Sequence, residues 1–130
     1  MNLQSPKKNV NKSAKELFDL FSNVQNFEKL MPSTVEKFEA DQDSFVFALK
    51  GMPEIRLVLK EKEPNSKIVL GAASSKLPPF NLTARINEIN NVQSEVQFFF
   101  DGDFNPMISM MLKGPLTKFI DSLSESVESL

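Results

Sequence analysis

The chain of 130 residues suits a single domain with one hydrophobic core. Its 15 basic and 17 acidic residues leave a net charge of -2, too little positive charge to expect a nucleic acid as partner. With no Cys and no His, it has no disulfide, thiolate nucleophile or sulfur-ligated metal, and it lacks the commonest general base.

Other absences narrow the chemistry further. Neither Trp nor Tyr occurs, so the 12 Phe are the only aromatic residues, accompanied by 6 Met. What remains is carboxylate, Lys, Ser/Thr or backbone catalysis, or no catalysis, and no cofactor is expected. No segment has the roughly 18 uncharged apolar residues of a membrane span. Lys7, Lys8 and Lys12 have no apolar run behind them, unlike a secretory signal. The expected address is therefore cytoplasmic, with no integral membrane segment.

The chain opens on a weakly patterned strand from about Leu3 to Val10, where Pro6 keeps Ser5 out of helix. Ser13 and Glu16 then have the spacing of a capping box, in which the hydroxyl and the carboxylate each take one orphan N–H. Ala14, Leu17, Phe18 and Phe21 follow at helical spacing, and a second short helix spans about Val24 to Leu30 before Met31-Pro32. Two short helices here read as a lid or wedge rather than as core.

From Thr34 to Asp101 the apolar period is two. Phe45, Phe47 and Leu49 form one row, and Ile55, Leu57 and Leu59 the next. Ile68, Leu70 and Ala72 follow, then Leu82, Ala84 and Ile86, then Val96, Phe98 and Phe100. Turn residues separate the rows at Asp41-Gln42-Asp43, Gly51-Met52-Pro53, Glu63 to Ser66, Ser74 to Pro79 and Asn90-Asn91. Strands joined this closely form an antiparallel meander with one covered face and one mixed face.

Asn105-Pro106 starts the last helix, with Pro where its missing N–H costs little. Ile108, Met111, Leu112, Pro115, Leu116, Phe119, Ile120, Leu123 and Val127 are assigned to one side. About 23 residues give a rod of roughly 34 Å, long enough to cross a sheet, with a bend expected at Gly114-Pro115.

This order of elements resembles the helix-grip fold of the START-like superfamily (SRPBCC), which includes pollen-allergen-like and polyketide-cyclase-like proteins. Ser13-Ala14-Lys15-Glu16-Leu17-Phe18 looks like that family's entry to its first helix. Asn26 to Pro32 resembles the stretch before its second strand. Asp103-Phe104-Asn105-Pro106-Met107 through Lys113-Gly114-Pro115-Leu116-Thr117-Lys118-Phe119 is similar to the terminal helix of a small bacterial subgroup of uncharacterised members. The resemblance implies an α+β fold, with a curved antiparallel sheet of about seven strands gripping the C-terminal helix around an apolar cavity. It also implies binding of lipids, hormones or polyketides, with cyclase or hydratase activity in some members.

On that frame the expected cavity lining is Phe47, Leu57, Leu70, Leu82 and Phe98 from the sheet, with Met107, Met110 and Met111 from the helix. Met can repack around variable apolar ligands and would form the adaptable wall. The competing reading is that Phe and Met simply fill the core. Arg56 and Arg85 fall out of phase with the apolar rows and are expected on the outer face, paired with acidic neighbours. Asp101, Asp103 and Glu54 are the carboxylates available for acid/base work, but nothing in the sequence brings them together. Val46, Val58, Val69 and Phe99 are the apolar residues of the outer face, where a homodimer could form.

Binding or carrying of a small hydrophobic or amphipathic molecule is thus the leading functional reading. A cyclase- or hydratase-like enzyme on the same scaffold ranks second. A filled-core interaction module is the third.

Overall fold

The computed structural model describes residues 1–49, 52–73 and 79–130. In chain order these form β1 (Asn2–Gln4), β2 (Lys8–Val10), α1 (Ala14–Ser22), a 3₁₀ helix (Val24–Leu30), β3 (Val35–Ala40) and β4 (Ser44–Leu49). There follow β5 (Ile55–Glu63), β6 (Lys67–Ala72), β7 (Phe80–Asn90), β8 (Gln93–Gly102) and α2 (Pro106–Glu128). The turn residue Gly51 and the segment Ser74 to Pro78 lie outside the described residues.

The strands form one antiparallel sheet in the order β1-β8-β7-β6-β5-β4-β3, with β2 also pairing to β8. The expected opening strand is therefore present in two pieces. Pro6 has no N–H for the ladder, and the break is bridged by Ser5. The Ser5 N–H donates to the Phe98 carbonyl at 2.9 Å, and the Ser5 hydroxyl accepts the Phe98 N–H at 2.9 Å. The meander from β3 to β8 matches the period-two reading.

Local chemistry fixes the element ends. The Ser13 hydroxyl accepts from the Glu16 N–H at 3.1 Å, and the Ser13 N–H donates to the Glu16 carboxylate at 3.3 Å, completing the capping box. Asn105 caps α2 by accepting the Ile108 N–H at 2.9 Å, with Pro106 just inside the helix. Between β5 and β6, Asn65 takes the left-handed conformation at φ 58°, which Asn tolerates better than most residues. Between β3 and β4, the Asp41 carboxylate accepts from the Ser44 hydroxyl at 2.8 Å and from the N–H groups of Ser44 and Asp43. Those bonds, the Ser44 hydroxyl foremost, hold the Asp41 carboxyl below its ordinary pKa.

The inner face is closed by aromatic rings. Phe47 stacks on Phe119 of α2 with centroids 4.8 Å apart, and Phe45 lies 5.8 Å from Phe47 and 5.3 Å from Phe27. Phe21 links Phe27 at 5.8 Å to Phe98 at 6.0 Å. These pairs adopt the offset and edge geometries that aromatic quadrupoles favour.

α1 and the 3₁₀ helix are consequently core elements, not a lid. Ala14, Leu17, Phe21, Val24, Phe27 and Leu30 are all buried in the same cluster as the sheet residues. Length misleads here: both helices are short, yet their apolar residues join the core that the sheet covers.

The outer face follows expectation at Arg56 but not at Arg85, which has no acidic partner among the described residues and meets an aromatic ring instead. Arg56 donates to the Ser44 hydroxyl at 2.8 Å and pairs with Asp41 at 3.3 Å. Arg85 lies over the Phe99 ring at 5.7 Å. Val46 and Val69 are largely covered by their own neighbours, and Val58 and Phe99 are half-buried. No described helix is long and apolar enough to cross a membrane.

Candidate functional site

The sheet residues expected to line a cavity all point inward. Phe47, Leu57, Leu70, Leu82 and Phe98 are each no more than 2% exposed and belong to the main core cluster. The helix residues do not join them. Met107, Met110 and Met111 are 74%, 84% and 69% exposed, so they form no wall facing the sheet.

The reason is helix geometry. Ile108, Leu112, Leu116, Phe119, Ile120, Leu123 and Val127 recur at steps of three and four and make the buried stripe. Met107, Met110 and Met111 stand a third to a half turn away from that stripe. Met111 and Leu112 are adjacent in sequence and about 100° apart, so both cannot meet the sheet; the longer register through Leu123 and Val127 decides which does. Pro115 is also exposed, for the same reason.

An opening exists elsewhere on α2. A cleft of about 590 Å³ runs between the middle of this helix and the Pro32-Ser33-Thr34 turn that joins the 3₁₀ helix to β3. That volume lies inside the ~300–1,000 Å³ range typical of ligand pockets. Leu49 at the end of β4 and Phe119 of α2 supply its apolar floor, and Pro32 and Pro115 its flanks. Phe119 is the ring that stacks on Phe47, so the floor of the cleft is also the seam between helix and sheet.

The rim is polar. Lys118, Asp121 and Glu125 come from α2 and Ser33 from the turn. None of the three charged side chains is engaged in an ion pair among the described residues. Gly114 lines the mouth, and a Cβ built there would meet nothing within 4 Å. Pro115 has no N–H to donate, so the Met111 carbonyl loses its usual helical partner beside the cleft. An apolar floor under a few polar groups suits an amphipathic small molecule.

The carboxylates weighed from sequence separate. Glu54 pairs with Lys37 at 2.9 Å, which raises the Lys37 pKa, with Glu39 adding to the effect. Asp101 and Asp103 border a different, more polar opening of about 690 Å³, beside Met1, Lys60 and Asn81. The Met1 ammonium donates to the Gly102 carbonyl there at 2.6 Å. Among the described residues no group of three or more Asp or Glu is arranged to hold a metal ion.

Sequence reasoning did not find Leu49, Ser33, Lys118 or Asp121 as lining residues. The available signal was the spacing Gly114, Lys118, Asp121 and Glu125, a second helical stripe opposite the buried one.

Solved structures of other proteins share this arrangement. A START superfamily protein from Mycobacterium smegmatis superposes with a TM-score of 0.69 at 12% identity, over 98% of this chain and 97% of that one. Norcoclaurine synthase from Thalictrum flavum, in complex with dopamine and hydroxybenzaldehyde, gives 0.70 at 12% identity, over 99% and 87%. An uncharacterized protein from Bacillus thuringiensis gives 0.66 at 9% identity, over 98% of each chain. No family model matches the sequence. No curated protein matches it either.

The chain therefore has the START-like helix-grip fold: an antiparallel sheet, short helices after the first two strands and a long C-terminal helix packed on the sheet. At these identities the likeness defines the fold, and activity must be argued from the site.

Proposed function

We propose that this protein is a cytoplasmic, non-enzymatic carrier of a small hydrophobic or amphipathic molecule, held in the cleft between α2 and the Pro32–Thr34 turn. The observation that carries the reading is the apolar floor of Phe119 and Leu49 beneath the rim of Lys118, Asp121 and Ser33. Burial of apolar ligand surface would supply the affinity, at about 25 cal/mol per Å² removed from water. The rim would orient the polar end. Norcoclaurine synthase, on the same fold, is known in complex with dopamine and hydroxybenzaldehyde, which supports a small aromatic or amphipathic cargo here.

Native mass spectrometry of protein from its own host, followed by organic extraction, tests the proposal. A reproducible bound small molecule is expected from the wild type and not from Gly114→Phe, whose ring would occupy the open mouth. Because nothing crowds that position, the variant should still melt cooperatively. A wild type that carries nothing, and binds no apolar fluorescent probe, would sink the carrier reading. A molecule returned chemically altered would favour the cyclase- or hydratase-like alternative.

A further inference from the structure

The exposed methionines have no role in the core or in the cleft, and their placement has a consequence of its own. Met107, Met110 and Met111 cluster on the first turns of α2, each more than two-thirds exposed. Positions 107, 111, 114, 118, 121 and 125 follow one another at steps of four and three. One helical stripe thus runs from the methionines past Gly114 to Lys118 and the acidic end of the cleft.

Charge is divided along the helix as a whole. From Phe104 to Ile120 the chain carries Lys113 and Lys118, both exposed, and no acidic residue. The N-terminal end of the helix adds its own partial positive charge. The nearest acid before it is Asp103, which is exposed and lies outside the helix. Asp121, Glu125 and Glu128 occupy the far end.

We propose that the first half of α2 docks on an anionic lipid bilayer, with Met107, Met110 and Met111 entering the headgroup–acyl boundary and Lys113 and Lys118 facing acidic headgroups. Met suits such a surface because its unbranched thioether adapts to irregular apolar surroundings. An amphipathic face combining apolar side chains with flanking lysines is the pattern of interfacial helices. A second copy of this chain is the poorer occupant, because the methionine patch is confined to the first turns of the helix. Three methionines also fall short of the ~800 Å² per partner of a standard interface. Docked this way, the bilayer meets the stripe that leads to the cleft mouth at Gly114. The proposal goes beyond the carrier reading and does not depend on it.

Flotation with vesicles tests it. The probe vesicles contain phosphatidylcholine with phosphatidylglycerol as about one third of the lipid, and pure phosphatidylcholine is the control. Wild type should float with the anionic vesicles, more weakly with the neutral ones, and less as salt is raised to about 0.5 M. A Met107→Gln/Met110→Gln/Met111→Gln variant should lose about fivefold or more in the floated fraction, and Lys113→Glu should lose part of it. All four positions are exposed, so folding should be unaffected, as checked by cooperative melting.

Wild type that stays at the bottom, or a triple variant that floats equally well, overturns the proposal. So does concentration-dependent dimerisation without lipid that the triple variant abolishes, because the occupant would then be a second copy. Probe binding in the cleft, measured without vesicles, keeps failure of docking apart from failure of the carrier reading.

Discussion

Both ends of α2 carry large apolar side chains, and these have opposite fates. Beyond Leu112 the helix buries Leu116, Phe119, Ile120, Leu123 and Val127 against the sheet, β2 and the 3₁₀ helix. Before it, only Ile108 turns partly inward while Met107, Met110 and Met111 face out. The same helical period thus serves packing in one half and presentation in the other. What differs is the neighbour: the C-terminal half has Phe47 and the 3₁₀ helix beside it, whereas the methionine face is turned from the sheet. Gly114 and Pro115, two poor residues for a helix interior, mark the passage between the halves and border the cleft.

The largest effects should come from the packed half. Phe119→Ala removes a ring stacked on Phe47 and should cost about 3–5 kcal/mol in a denaturant titration. Met110→Ala should change stability by no more than about 0.5 kcal/mol, as at other exposed sites. Equal costs at the two positions would erase the distinction between the halves.

Ser13→Ala should cost about 0.5–2 kcal/mol, because both arms of its capping box are formed. Unchanged stability would show that α1 is held by Leu17 and Phe21 alone.

Gly114→Ala should stabilise the protein by about 0.5–1 kcal/mol, since the helix gains an Ala and the added methyl meets open space. A loss instead would mean that the mouth of the cleft needs a residue without a side chain.

The smallest effect lies far from α2, at the turn between β3 and β4. Asp41 has its carboxyl pKa lowered by the Ser44 hydroxyl and the Asp43 N–H. The stability it contributes is present above the carboxylate pKa of the unfolded chain and is lost as pH falls through the lowered value. Ser44→Ala should return the Asp41 titration toward the ordinary range, read by carboxyl-carbon NMR. A titration that does not move would assign the shift to backbone donors.

Much of this fold can be read from residue order. Alternation at Phe45 to Leu49 and Val96 to Phe100 marks strands because an antiparallel sheet with one covered face demands it. Ser13 and Glu16 mark a helix start because their bonds are local. The cleft was not legible in the same way. It is made by Pro32 to Thr34 meeting Leu49 and a helix that follows some eighty residues later in the chain. Periodicity also left two faces of α2 open, since Met111 and Leu112 fit helical stripes equally well on their own. Burial chose between them through residues several turns downstream.

A nitrogen–proton correlation NMR titration with an apolar naphthylamine probe tests most directly where ligand is held. The cleft reading predicts saturable shifts at Ser33, Thr34, Leu49, Gly114, Lys118 and Phe119, with Leu70, Leu82 and Ala84 little moved. Shifts centred on Leu70, Leu82 and Phe98, with the cleft residues unmoved, would place the ligand inside the sheet and contradict it.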